Sequence, residues 1–169
     1  YQSHTLGQDT LCCPIKSLIS QYSNSKSLKN EDLEDVRNII IGASRNWCKT
    51  IIEWNLASDE NQEPHTKGGC RNCLGAVTVA NNSVDRNTAY YAIAHVSKFV
   101  PPGSKRINSS STSHLPNVAF LTENNKIVLV VLNDSDEEIN FNINLNEKSI
   151  HSSLTAGSVG TYILSLIHI

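Results

Sequence analysis

At Pro101-Pro102-Gly103 the chain changes its hydrophobic period. Upstream of this break, apolar residues recur at helical spacing; downstream they fall into short alternating or continuous runs. A sequence that switches period once cannot be a helical bundle or a sandwich throughout, so it must join an α/β part to an all-β part. In the second part Val118 and Phe120 sit two apart, Ile127 to Leu132 is continuously apolar, and Ile139, Phe141, Ile143 and Leu145 alternate with Asn140, Asn142 and Asn144. Such alternation means one buried face and one wet face. Turn clusters at 123–126, 133–136, 146–148 and 156–157 separate the runs. Together they predict an antiparallel β-meander, half of a sandwich or similar.

The first part reads as α/β. Asn30 is a good N-cap, and Glu31, Asp32, Glu34 and Asp35 fill a first turn where the helix dipole favours negative charge. Leu33, Val36, Ile40, Ala43 and Trp47 follow helical spacing, so a helix is expected from Glu31 to about Trp47. Thr50 to Leu56 reads as a strand buried on both faces. Functional groups gather past the C-terminal ends of such strands, which makes Glu53, Trp54 and Asn55 the first candidates for chemistry. A long polar loop from Ala57 to Arg71 follows, continuing through Cys73 into the apolar run Ala76 to Ala80. Loops of that length are uncommon in compact domains unless they are functional. A second helix is expected from an N-cap at Asp85, with Ala89, Tyr90, Ile93, Ala94 and Ser97 on one face.

Composition narrows the function classes. The formal charge is −2 over 169 residues, with no basic block of the kind that binds nucleic acid. No run reaches the roughly 20 apolar residues of a membrane span. The chain lacks Met, and one helix–strand–helix unit cannot close a parallel barrel, so the chain is expected to be the C-terminal piece of something larger. Five cysteines, Cys12, Cys13, Cys48, Cys70 and Cys73, have no framework spacing. Asn81, Asn108 and Asn133 each begin an Asn-x-Ser triplet, a pattern frequent enough by chance to leave the compartment open.

Several separate segments carry a family resemblance. They are NIIIGASRNWCKTIIEWNLA from Asn38 to Ala57, PHTKGGCRNCLGAVTV from Pro64 to Val79, and YYAIAHVSKFVPPGSKRI from Tyr90 to Ile107. IVLVVLN from Ile127 to Asn133 and AGSVGTY from Ala156 to Tyr162 complete the series. Collinear over roughly Asn30 to Leu164, this text resembles the glucosylceramidase family, glycoside hydrolase family 30. The resemblance implies the end of a (β/α)8 TIM barrel over 30–100 and a β-sandwich domain over 101–164. Residues 1–29 and the tail 165–169 depart from the pattern. It further implies retaining hydrolysis of glucosylceramide or a related β-glycoside, which needs two carboxyl groups about 5 Å apart. Both belong to earlier barrel strands; the nucleophile slot here holds Ser20, so no catalytic residue is assigned in this chain.

The resemblance makes Trp54 a stacking surface for a sugar ring, with Glu53 and Asn55 as further substrate-binding candidates. His65 is a weaker candidate, and His95 and Lys98 are expected to serve packing or a domain interface. Cys70 and Cys73 are expected to lie close enough to bridge in a local loop disulfide, with two free thiols the alternative. A zinc site with His65 would lack a fourth ligand, so no metal and no cofactor is expected. The expected partners are a β-glucoside or glycosphingolipid substrate and the missing N-terminal barrel segment, with peripheral contact to lipid surfaces left open. The expected setting is secreted, periplasmic or lysosomal. The alternative from another class is a non-catalytic carbohydrate-binding or structural sandwich module.

Overall fold

The computed structural model describes residues 33–53, 55–71 and 73–165. Readings that fall on residues 1–32, Trp54, Asn72 and 166–169, Ser20 and Glu31 among them, lie outside the described residues.

A four-stranded antiparallel sheet organises the molecule. Its strands are β4 (Lys105–Ile107), β5 (Asn117–Leu121), β6 (Lys126–Leu132) and β9 (Val159–Ser165), in the order β4-β5-β6-β9. Successive side chains of a strand point to opposite faces, so each strand feeds two cores. Val118, Phe120, Val128, Val130, Leu132 and Val159 pack with Val36, Ile40, Ile41, Ala92, Phe99 and Val100 from the helical side. Ala119, Ile127, Val131, Tyr162 and Leu164 pack on the other side against Ile143 and Leu154. Both faces are covered, which is why β6 reads as a continuous apolar run.

The second cover is a hairpin, β7 (Ile139–Leu145) with β8 (Lys148–Leu154). Asn146 at its turn has φ 54°. The expected meander is corrected here: β7 pairs with β8 and not with β6, and the chain returns through β9, which pairs with β6. The reason lies in Asn133, where β6 ends. This side chain is fully buried; its Nδ2 donates to Glu137 O, Leu154 O and Thr155 O, and its Oδ1 accepts from the backbone N–H and hydroxyl of Ser135. One amide thus ties the exit of β6 to the far end of β8 and turns the chain onto the second layer. Tyr162 completes the attachment, stacking edge-on against Phe141 and sharing a 3.0 Å hydrogen bond with Ser152.

On the helical side, α1 (Asp35–Ala43) has π-type hydrogen bonding, and helical turn continues through Arg45. Its wider turn buries Val36, Ile40, Ile41 and Ser44, so the expected stripe through Ala43 and Trp47 is displaced. Trp47 in particular is 68% exposed, with φ 65°. Cys48 N–H reaches back to Ala43 O and Trp47 N–H to Ser44 O, the terminating pattern that usually places Gly in the left-handed position. The Arg106 guanidinium lies 3.7 Å from the exposed indole's centroid. Arg45 anchors this end, donating to Ser109 Oγ, Ser109 O and Asn117 O, while Arg37 pairs with Asp134 at 2.9 Å.

The second helix, α2, is Thr88–Ser97, beginning after Asn87 and not at Asp85. Asp85 lies in β3 (Ser83–Arg86), which forms a hairpin with β2 (Val77–Ala80). Asn81 and Asn82 have φ 48° and 65°, the two positive values that a tight hairpin turn requires. The buried face of α2 is Ala92 and His95, continued by Phe99; Tyr90 and Ser97 face water, which corrects the expected stripe. Helix propensity outlined the element, and the position of β9 selected its inner side.

Candidate functional site

Among the described residues Thr50 takes part in a β-bridge, but the stretch to Leu56 is not buried on both faces as expected. Ile51 packs on the core, but Ile52 is 62% and Leu56 78% exposed. Regular pairing begins at β1 (Ala57–Ser58), which runs parallel to β2. A strand needs a ladder beside it, and the described residues supply one only where β2 approaches: Ala76 N–H donates to Asn55 O and Val77 N–H to Leu56 O. Among the described residues β1, β2 and β3 form a three-stranded sheet in the order β1-β2-β3.

Gly75 makes that approach feasible. A Cβ there would stand 2.7 Å from Ala57 C and Ser58 N, so no other residue fits without moving backbone. The Gly75 N–H donates to the Oγ of buried Ser58 at 3.0 Å, and its carbonyl accepts from Asn87 Nδ2 at 2.7 Å. Asn87 Nδ2 also reaches Thr78 Oγ1 at 3.0 Å. Sequence reasoning missed this Ser58–Gly75–Asn87 cluster; an isolated Gly before an apolar run was the available signal of close backbone approach.

Around this frame the candidates separate. Glu53 is half-buried, and burial, seconded by the Asp35 carboxylate, raises its pKa above the ordinary carboxylate value. Such a shift suits a group that takes or gives a proton, and equally a buried acid without chemistry. Trp54 lies outside the described residues. Asn55 donates through Nδ2 to Cys73 O at 3.4 Å, so its amide is used to hold the loop's return.

The loop between β1 and β2 is closed by local polar contacts. Asp59 Oδ1 accepts from the N–H groups of Asn61 and Glu63, both at 2.8 Å. His65 Nε2 lies 2.8 Å from Glu63 Oε1, and Glu63 Oε2 accepts the His65 N–H. Cys70 and Cys73 are joined by a disulfide, while Cys48 is a free thiol. Among the described residues no cluster of three or more His, Cys, Asp or Glu could hold a metal ion. His95 stands apart from all this, buried between α2 and β9 with Nδ1 2.8 Å from Thr161 Oγ1. Burial lowers its pKa to about 4. It therefore serves as a neutral packing residue in the helix–sheet interface.

Residues 103–162 match the glycosyl hydrolase family 30 beta sandwich domain, so over that span the chain resembles family 30. It is 40% identical over 73 residues to the endo-1,6-beta-D-glucanase neg1 of Aspergillus fumigatus, covering 43% of this chain and 15% of that protein. Identity to the lysosomal acid glucosylceramidase of Mus musculus is 28% over 114 residues, covering 66% of this chain and 22% of that protein. The solved structure of an endo-beta1,6-glucanase superposes with TM-score 0.72 at 27% identity, covering 83% of this chain and 34% of the other. The chain thus spans well under half of each protein it resembles. Among the described residues no helix is long and apolar enough to cross a membrane.

Proposed function

We propose that this chain is the C-terminal portion of a retaining β-glycosidase, comprising the end of its barrel over 30–100 and its sandwich over 101–164. The observation that carries this reading is the family 30 sandwich match at 103–162. The chemistry requires a nucleophile and an acid about 5 Å apart across one bond, and both belong to barrel strands preceding Asn30. The segment 53–55 contributes a wall of the substrate site: Trp54 is the residue assigned to stack on the sugar, and Glu53 and Asn55 those assigned to support that wall. The substrate is a β-1,6-linked glucan in preference to glucosylceramide, since the 40% identical relative and the superposed structure both carry the endo-1,6-glucanase name. The setting is extracytoplasmic, in keeping with a disulfide in an exposed loop.

The test uses a polypeptide restored to family length around this segment. Turnover of linear β-1,6-glucan exceeding that of micellar glucosylceramide supports the substrate reading; the reverse order returns it to the lipid glycoside. Trp54→Ala is expected to lower kcat/KM on the preferred substrate with folding intact, and an unchanged value would make Trp54 mere packing. The chain made alone is expected to leave an activated aryl β-glucoside uncleaved. Turnover by it, abolished in Glu53→Gln, would make Glu53 catalytic and overturn the assignment.

A further inference from the structure

The three Asn-x-Ser triplets fall at positions that the fold treats very differently. Asn81 occupies the tip of the β2–β3 hairpin, exposed and with φ 48°. Its neighbours Asn82 and Ser83 are exposed as well, and the Ser83 hydroxyl turns back to donate to Ala80 O at 2.8 Å. Asn108 follows β4 and is also exposed, beside a cavity of about 280 Å³ between the two layers of the sandwich. Asn133 has no exposed surface, and its Nδ2 is committed to three carbonyl oxygens. An amide nitrogen has only two hydrogens to give, so these three bonds already include a shared one. Replacing one hydrogen by a sugar would break this network and would need space that the core does not contain.

We infer that Asn81 and Asn108 are N-glycan acceptors and that Asn133, despite its triplet, carries no glycan in the folded chain. In the transfer, the acceptor Nδ2 bonds to the anomeric carbon of a polyprenyl-pyrophosphate-linked oligosaccharide. The carbon–oxygen bond to pyrophosphate breaks, polyprenyl pyrophosphate leaves, and the nitrogen gives up one proton; nothing is oxidised or reduced. The exposed loop disulfide Cys70–Cys73 belongs to the same kind of oxidising compartment in which such donors are used. A glycan at the hairpin tip projects from β2 and β3 without crossing either core. One at Asn108 shields the cavity beside it. The inference rests on exposure and hydrogen bonding, and does not depend on the glycosidase reading.

The experiment expresses the full chain behind a cleavable secretion leader in a eukaryotic culture. Secreted and cell-retained protein are both captured, and the protease-resistant, soluble fraction is mapped by glycopeptide mass spectrometry before and after a peptide N-glycosidase. Two occupied sites are expected, at Asn81 and Asn108. Asn81→Gln and Asn108→Gln should each remove one glycan. Ser135→Ala, which abolishes the third triplet, should leave the glycan count unchanged. Occupancy of Asn133 in the protease-resistant fraction would overturn the inference, as would an unmodified Asn81 or Asn108 in every fraction.

Discussion

Val128, Val130 and Leu132 on β6 have no exposed surface, whereas Glu60, Lys67 and Cys70 in the loop between β1 and β2 stand in water. The two regions are held in different ways. The strand is fixed from both sides by side chains belonging to distant parts of the sequence. The loop is fixed by Asp59, Glu63 and a disulfide acting within a few residues of themselves. A perturbation in the first region should therefore spread through the whole cooperative unit, and one in the second should stay local.

Asn133→Leu should give the largest effect. The leucine fills similar space but removes the amide donor from one buried carbonyl, Leu154 O, and from two part-buried ones, Glu137 O and Thr155 O, of which Glu137 O keeps the Ser135 hydroxyl. Leaving the buried carbonyl unsatisfied costs about 1–3 kcal/mol and losing each part-buried bond about 0.5–1.5 kcal/mol, so a loss of at least ~2 kcal/mol is expected in denaturant unfolding. A loss below ~1 kcal/mol would mean that the second layer is attached by its apolar contacts alone.

His95 tests the same cooperative unit through pH. Its folded pKa is lowered from 6.5 to about 4, so the folded chain binds fewer protons than the unfolded one between those values. Stability is then fully present above about 6.5 and is lost as pH falls toward about 4, by an amount on the order of 3 kcal/mol. A thermal-unfolding series across that window should show the decline, and His95→Asn should flatten it. An equal slope in both proteins would assign the decline to other groups.

How legible each region was follows from the same contrast. The strand runs, their turns and the Pro101-Pro102-Gly103 break could be read because two-sided burial writes itself as apolar runs and their ends as Asn, Asp and Gly. The pairing of β7 with β8 could not, because the residue that enforces it is a lone buried amide with no periodicity. Helix faces were misjudged for a related reason. The π-type turn of α1 shifts the register past Ile40, and α2 starts two residues later than the Asp85 cap suggested, after a hairpin signalled only by Asn81-Asn82. Of the candidate site, the carboxylate at 53 and the amide at 55 could be named from their place before a polar loop. Ser58 and Asn87 could not, since their role depends on a backbone contact at Gly75.

Gly75→Ala lies between the two extremes. The added methyl meets the Ala57–Ser58 backbone at 2.7 Å, so β1 must separate from β2. Overpacking of this kind costs about 1–3 kcal/mol. Hydrogen exchange should accelerate at Ala76 and Val77, whose N–H groups lose the carbonyls of Asn55 and Leu56, while β5 and β6 keep their protection. Equal acceleration in β6 would join this small sheet to the main core.

The smallest effect should come from opening the Cys70–Cys73 bridge, best done as a Cys70→Ser, Cys73→Ser double variant because Cys48 is also a thiol. The bridge spans a separation of only three residues. Chain-entropy reasoning gives a ring that small about 2 kcal/mol at most, and only if the loop unfolds together with the core. The loop is exposed along most of its length and contributes no side chain to either hydrophobic core. Its ordering is thus a local equilibrium, and the global unfolding midpoint should shift by less than ~0.5 kcal/mol while amide exchange at Gly69 and Cys73 speeds up. A global loss near the full entropic value would show that the loop folds as one unit with the sheet, and the division between the two regions would have to be redrawn at Gly75.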